Sequence, residues 1–308
     1  MPGERPLFTV IISTFNRRHI ITRAIDSVLK QTFRGFELLI IDNGSTDGTQ
    51  AVVEGIKDPR LRYIRNPNPS GSCDGPRNMG IEAAEGSLVA FLDDDDIWYP
   101  ERLEKVKKAF EKNPQADAVC HYENYTSDGK NKRVIKYGPV EGGLYERLIY
   151  ENNCLSSCGT TVKAEALKEM GGFDLRKEFA AGADYDLWIR MAAKGMKFRI
   201  IEEPLGEFTF TGKNWSVADP AFQSRLAFLV RYHIQRYENK KLSGISKRGM
   251  KRLLRLYCIA GASLLRAGRV FDALKCFLTA CIFILRRPGL LPGLISEILE
   301  RINEKQSR

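Results

Sequence analysis

The chain has 308 residues, enough for one large α/β domain with an appendage or for two ordinary domains with full cores. Its 43% hydrophobic, 28% charged and 10% aromatic residues mark a globular protein and exclude collagen-like, low-complexity and largely disordered classes. The net charge of +10 is unevenly placed: residues 1–212 hold 29 Lys+Arg against 32 Asp+Glu, whereas residues 213–308 hold 19 against 6.

Residues 8–14 (FTVIIST) and 36–42 (FELLIID) are short continuous apolar runs, as expected for strands covered on both faces of a parallel sheet. Between them, residues 19–31 place Ile20, Ile21, Ala24, Ile25, Val28 and Leu29 on one helical face, which completes a βαβ unit. The alternation continues with helix at 46–56, strand at 61–64, helix at 74–84, strand at 87–92, helix at 100–112 and strand at 116–122. Such alternation implies an open sheet with helices on both faces. From about 140 to 212 glycines break the pattern around one clear helix at 185–194. Beyond 220 the chain reads as helical, punctuated by Gly244, Gly268 and the PGLLP run at 288–292. No internal repeat is visible.

The opening MPGERPLFTVIIST lacks a basic leader followed by a long apolar core, and no run reaches the roughly 18 apolar residues of a membrane span; the nearest, 277–285, is too short. Seven cysteines without regular spacing give no disulfide framework, and no His/Cys pair completes a zinc set with Cys154 and Cys158. Reduced thiols favour a cytoplasmic protein.

Open α/β sheets bind ligands at the carboxyl ends of their strands. Three polar motifs fall there: Ser13-Thr14-Phe15-Asn16-Arg17, Asp42-Asn43-Gly44-Ser45-Thr46-Asp47, and Asp93-Asp94-Asp95-Asp96. Four adjacent carboxylates repel one another unless something positive joins them, and Mn²⁺ or Mg²⁺, which takes oxygen ligands and substrate phosphates, meets that need. Strand alternation points Asp93 and Asp95 the same way, toward one shared site. The alternative is a solvated acidic turn before the helix at Pro100. Asp42 is placed to accept hydrogen bonds from a base or ribose, although a plain βα turn explains it equally. Arg77 stands near a helix start, where a guanidinium and backbone N–H groups favour a phosphate.

Together the segments VIISTFNR (10–17), SVLKQTF (27–33), LLIIDNGSTDGT (38–49), GPRNMGIEAAEG (75–86), FLDDDDIWYP (91–100) and GGFD…ADYDLWIRMAAKG (171–195) resemble the inverting family-2 glycosyltransferases of GT-A fold. The resemblance implies a doubly wound mixed sheet with a helical C-terminal extension. A GT-A catalytic domain would occupy residues 1–212, its nucleotide-sugar half about 6–125 and its acceptor-side half about 126–212, followed by a basic helical region at 213–308. It further implies that Thr14, Asn16, Asp42, Arg77, Asp93 and Asp94 meet the nucleotide sugar, that Asp93 and Asp95 form the DXD metal pair, and that Asp184 is the general base. The expected reaction moves a sugar from a nucleotide-diphospho-sugar, most commonly UDP-linked, to a hydroxyl of a glycan or lipid-linked acceptor. Two departures stand out: Ala183-Asp184 replaces the common Glu-Asp, and Asn43 replaces a second Asp. Asp186 competes for the base position, and with Trp215 is a candidate acceptor contact.

In the tail, cations at 247, 248, 251, 252 and 255 alternate with Leu253, Leu254, Leu256, Tyr257 and Ile259, and a second helix at 270–285 ends in Arg286-Arg287. This pattern suits peripheral contact of residues 247–287 with an anionic cytoplasmic membrane surface, or packing of these helices on each other or on the catalytic lobe. A nucleotidyltransferase of similar fold would want a Gly-rich phosphate loop after the first strand, which is missing here. A nucleic-acid-binding module would leave the acidic motif unexplained, so no nucleic-acid partner is expected.

Overall fold

A computed structural model describes residues 5–69, 71–127, 129–180, 182–211, 219–240 and 244–286. It divides into two units, one comprising Met1–Tyr145, Asn153–Leu175 and Ala183–Thr211, the other Glu146–Asn152, Arg176–Gly182 and Gly212–Arg308.

The first unit alternates strand and helix in the order read from the sequence: β1 (Phe8–Thr14), α1 (Ile21–Leu29), β2 (Phe36–Asp42), α2 (Thr49–Glu54), β3 (Leu61–Arg65), α3 (Asp74–Ala83) and β4 (Leu88–Asp93). There follow β5 (Ile97–Trp98), α4 (Arg102–Lys112), β6 (Ala118–Ser127), β7 (Lys130–Ile135), α5 (Leu144–Tyr150, which from Glu146 on belongs to the second unit), β8 (Thr160–Lys163), α6 (Ala164–Met170), α7 (Ala183–Ala193) and β9 (Phe198–Phe210). The strands form one mixed sheet of order β3-β2-β1-β4-β8-β6-β9-β5, with β7 paired to β6. β1 runs parallel to β2 and β4, while β8 is antiparallel to both β4 and β6.

One face of the sheet presents Phe8, Val10, Ile12, Leu38, Ile40, Ala90 and Leu92 to the buried stripe of α1 (Ile21, Ala24, Ile25 and Val28) and to Leu103, Val106 and Phe110 of α4. Burying such a side chain contributes about 1.5–3 kcal/mol, so this apolar layer fixes the strand register. On the opposite face Ile11 packs so closely against Gly80 of α3 that a Cβ there would lie 2.7 Å from its side chain.

Register decides where the polar motifs go. Thr14 pairs with Asp42, and Ser13 with Asp93, so the three motifs leave three adjacent strands at one edge. The sequence pattern missed β9, whose apolar alternation is interrupted by Glu202, Glu203, Pro204 and Gly206. It is held by parallel pairing to β6, a long-range partner that no local periodicity reveals.

The second unit contains α8 (Phe222–Tyr237), α9 (Lys247–Arg266) and α10 (Val270–Arg286). Glu238, just past α8, accepts from Ser246 N (2.6 Å), Ser246 Oγ (2.7 Å) and Tyr150 Oη (2.8 Å), and Ser246 caps α9 by accepting from Gly249 N. The apolar side of α9 (Leu253, Leu254, Leu256, Tyr257, Ala260 and Leu264) is buried. Gly261 admits the Phe277 ring of α10, and Tyr257 meets Phe283 edge-on at 5.6 Å. Of the two readings for residues 247–287, packing of these helices on each other therefore accounts for the apolar side of α9.

Candidate active site

The first two motifs lock into one another. Asn16 adopts a left-handed φ of 54°, which an Asn tolerates. In that conformation its N–H donates to Ser45 Oγ (2.8 Å) and its Oδ1 accepts from Thr46 N (2.8 Å). Asn43 N donates to the Thr14 carbonyl at 2.8 Å. Asp42 is fully buried; its Oδ1 accepts from Ser45 N and its Oδ2 from the Tyr63 hydroxyl, both at 2.7 Å. Thr14, Asn16 and Asp42 are thus brought together, with Asp42 shaping the loop through both carboxylate oxygens. Tyr63 was not legible as its partner.

The acidic motif is a turn. β4 ends at Asp93, Asp94 and Asp95 occupy the bend, and Asp96 N donates back to the Asp93 carbonyl at 3.1 Å. The strand-alternation argument for pairing Asp93 with Asp95 fails for that reason: a turn sets residues i and i+3 side by side. Donor atoms of Asp93, Asp96 and Cys158 all lie within 4.8 Å of one another. Asp96 Oδ1 accepts from Thr209 N at 2.7 Å, while its buried Oδ2 has no hydrogen-bond partner. Burial, with Asp93, Glu123 and Asp95 nearby, pushes the Asp96 carboxyl well above the usual range. Burial likewise raises Asp94 to about 7, with Thr14 and Arg17 pulling it down, and raises Asp95 to about 6 with Asp93 adding to the effect. Arg17 Nε lies 3.5 Å from Asp94 Oδ1.

The carboxylates of this turn fit a hard divalent cation. Asp93 and Asp95 are only half-buried, and the unpartnered oxygen of Asp96 is a polar atom lacking a partner that a cation would provide. Cys158 is different in kind. Burial drives its thiol well upward, so it is no thiolate, and its sulfur accepts from Asp93 N at 3.3 Å. Cys158 lies 65 residues from Asp93, and nothing in the sequence signals the contact.

Arg77 is the buried cation of the site, as Arg17 is its partly exposed one. Nearly buried on α3, it donates from Nη2 to Asp93 Oδ1 at 2.5 Å, and its Nη1 lies 3.9 Å from Asp74 Oδ1. Its guanidinium sits 5.5 Å from the centre of the Phe173 ring. Asn78, one residue on, grips the backbone of Phe173 twice: Nδ2 donates to its carbonyl (2.9 Å) and Oδ1 accepts from its N–H (2.8 Å). Gly172, at φ 70°, leaves no room for a Cβ beside Asn78. Asn78→Ala leaves both backbone groups unsatisfied, and a loss of about 2 kcal/mol in urea unfolding is expected.

Asp184 joins the same cluster. It lies in the first turn of α7, which begins at Ala183 and not at 185 as the sequence pattern indicates, and Tyr185 N donates to its Oδ1 at 2.7 Å. Burial raises its pKa, Arg77 opposes the rise, and Asp74 and Asp93 add to it. Asp93 and Asp184 therefore share one electrostatic neighbourhood around Arg77.

Asp186 does not. It is fully buried, with Oδ2 accepting from Arg190 Nε at 2.6 Å, and Arg190 in turn donates to the carbonyls of Met170 and Gly172. The reading of Asp186 as an acceptor contact is corrected, because its carboxylate anchors the helix. Trp188 is core, and Trp215 lies outside the described residues. The sequence also missed a buried group behind the acidic turn, where Arg102 lies 3.7 Å from the Trp98 ring centre and donates to His121 Nε2 at 3.2 Å.

The model for the family described as Glycosyl transferase family 2 matches residues 9–171. The chain belongs to this family. Among curated relatives it is 33% identical over 183 residues to the Escherichia coli enzyme UDP-Glc:alpha-D-GlcNAc-diphosphoundecaprenol beta-1,3-glucosyltransferase WfgD, covering 59% of this chain and 68% of that one. It is 34% identical over 199 residues to the putative colanic acid biosynthesis glycosyl transferase WcaA of Escherichia coli K12, covering 62% and 68%. An uncharacterized glycosyltransferase of Rickettsia felis matches at 32% over 216 residues, and the chain spans about a third (34%) of its length. Among solved structures, Staphylococcus aureus TarS 1-349 in complex with UDP-GlcNAc superposes with a TM-score of 0.62 at 16% identity, over 87% of this chain and 90% of that one. Mannosyltransferase PcManGT from Pyrobaculum calidifontis, in complex with GDP-Man and Mn²⁺, gives 0.57 at 18%, over 96% and 82%.

The sheet is thus the GT-A fold expected from the sequence, and this family-2 glycosyltransferase carries a helical C-terminal region. The matched residues include the loops of Thr14, Asp42 and Arg77 and the whole acidic turn, but end before Asp184. The case for Asp184 rests on where α7 places it.

Proposed function

We propose that this glycosyltransferase moves a sugar from a UDP-sugar to a hydroxyl of a lipid-linked glycan, with inversion at the anomeric carbon. The observation that carries the proposal is the acidic turn at the exit of β4, where Asp93 accepts from the buried Arg77, and the placing of Asp184 in the first turn of α7, near enough for Arg77 to lower its pKa and Asp93 to raise it. Thr14, Asn16 and Asp42 form the loop wall against which the nucleoside would lie, Arg77 supplies positive charge for a phosphate, and Asp94 lines the turn. Asp184 takes the proton of the incoming hydroxyl as its oxygen attacks the face opposite the leaving diphosphate. Asp93 and Asp95, with the free oxygen of Asp96, would hold Mn²⁺ or Mg²⁺. Such an ion neutralises charge developing on the diphosphate. Support for the donor is the UDP-GlcNAc complex of TarS, and for the acceptor the diphosphoundecaprenol named for WfgD.

A membrane-linked acceptor would bring the protein to a membrane as a peripheral visitor, since no described helix is long and apolar enough to cross one. We assign the catalytic role to residues 1–212 and a supporting one to 213–308. The test is a thermal-shift panel of UDP-, GDP- and dTDP-sugars with and without Mn²⁺. At a hundred times its dissociation constant a ligand adds about 2.7 kcal/mol, a rise of roughly 5–10 °C. A rise for UDP-sugars that needs the metal is expected. A rise for GDP-sugars alone would replace the donor, and none with any nucleotide sugar would remove the proposal.

A further inference from the structure

α10 is apolar on two sides. Ala273, Cys276, Ala280 and Phe283 are buried, yet Phe271 (83% exposed), Leu274 (50%), Leu278 (63%), Ile282 (44%) and Leu285 (78%) stand in water. At 100° per residue these five fall within an arc of about 80°, one continuous stripe along the helix. An exposed apolar surface of this extent marks an interaction site. Its setting selects the partner: residues 244–286 hold nine Lys+Arg, of which Arg252 is buried and Arg248 is paired to Glu146 and Glu151, and one acid, Asp272. Lys275, with its side chain 78% exposed, falls about 20° from the edge of the stripe and is paired to Asp272, which Arg269 also meets, and Arg286-Arg287 follow the end of the stripe in the sequence. A second copy would set two strongly basic surfaces face to face, which like-charge repulsion disfavours. Anionic headgroups around an acyl layer complement both features, since near-surface cations strengthen such adsorption.

We propose that the outer stripe of α10 lies in the interface of an anionic lipid bilayer, with Phe271, Leu274, Leu278, Ile282 and Leu285 among the acyl chains and the basic residues at headgroup level. This deepens the lipid-linked acceptor reading and rests on it, because a membrane-docked enzyme meets an acceptor confined to the bilayer. It also separates α10 from α9, whose apolar side is taken by the protein.

The test is co-sedimentation of the full chain with vesicles of phosphatidylcholine alone or with one third phosphatidylglycerol. The parent is expected to pellet with the anionic vesicles, less with the neutral ones, and less in high salt. The triple variant Leu274→Gln/Leu278→Gln/Ile282→Gln alters exposed positions only, so its melting temperature is expected to hold while its vesicle partition falls about tenfold or more. Equal pelleting of parent and variant overturns the proposal. So does a parent that stays in the supernatant with both vesicles, the result expected if residues 287–308 cover the stripe, and so does a dimer in light scattering that the variant dissolves. Donor hydrolysis measured without lipid tests the transferase reading separately and is expected to be unchanged in the variant.

Discussion

Asp184→Asn is expected to fold like the parent, bind the donor nucleotide with undiminished thermal shift, and lose about 10²- to 10⁴-fold in transfer, the range a general base supplies. Asparagine keeps the shape and can still accept from Tyr185 N, so the helix start survives, but its amide takes no proton. The measurement is nucleotide release from the donor in the presence of acceptor. Asp186→Asn is the control. That carboxylate is buried against Arg190, so its loss should lower the melting temperature while turnover per folded molecule persists. Turnover intact in Asp184→Asn and abolished in Asp186→Asn would exchange the two assignments.

Arg77→Met is expected to cost at least about 3 kcal/mol of stability, because it leaves Asp74, Asp93 and Asp184 gathered without their shared cation. Burial already raises Asp74 and Asp184, and Arg77 is what restrains the rise. A carboxyl whose pKa is higher in the folded than in the unfolded chain holds its proton more tightly when folded. Stability therefore falls as the pH climbs from the ordinary carboxylate range to the raised value, and returns on acidification. Removing Arg77 widens that interval, so the deficit in melting temperature should be largest at neutral pH and shrink toward pH 5. In the parent, the acid limb of kcat/KM is expected above the ordinary Asp range. A deficit independent of pH would mean that Arg77 acts by packing on Phe173 and not by charge.

The alternating half of the molecule was legible in its residues. Continuous apolar runs at β1 and β2, and an amphipathic α1 between them, leave little choice of partner, and parallel pairing then carries Thr14, Asp42 and Asp93 to one edge. The later strands were harder because their pairing is non-local: β9 is polar and interrupted along its own length and exists by virtue of β6.

The amino-acid sequence alone determined the strand-and-helix order, the edge at which the polar motifs emerge and the concentration of carboxylates and of positive charge, since these depend on neighbours a few residues apart. Tertiary structure alone decided that the acidic run turns and sets Asp93 beside Asp96, that Arg77 gathers Asp74, Asp93 and Asp184, that Asp186 is an anchor, and that α9 buries its apolar side while α10 shows one to water. The Arg77–Asp93 pair joins groups distant along the chain, whereas the Asp93–Asp96 turn and the Asp186–Arg190 pair are local but take their burial from the surrounding fold, which no pattern of neighbouring residues announces.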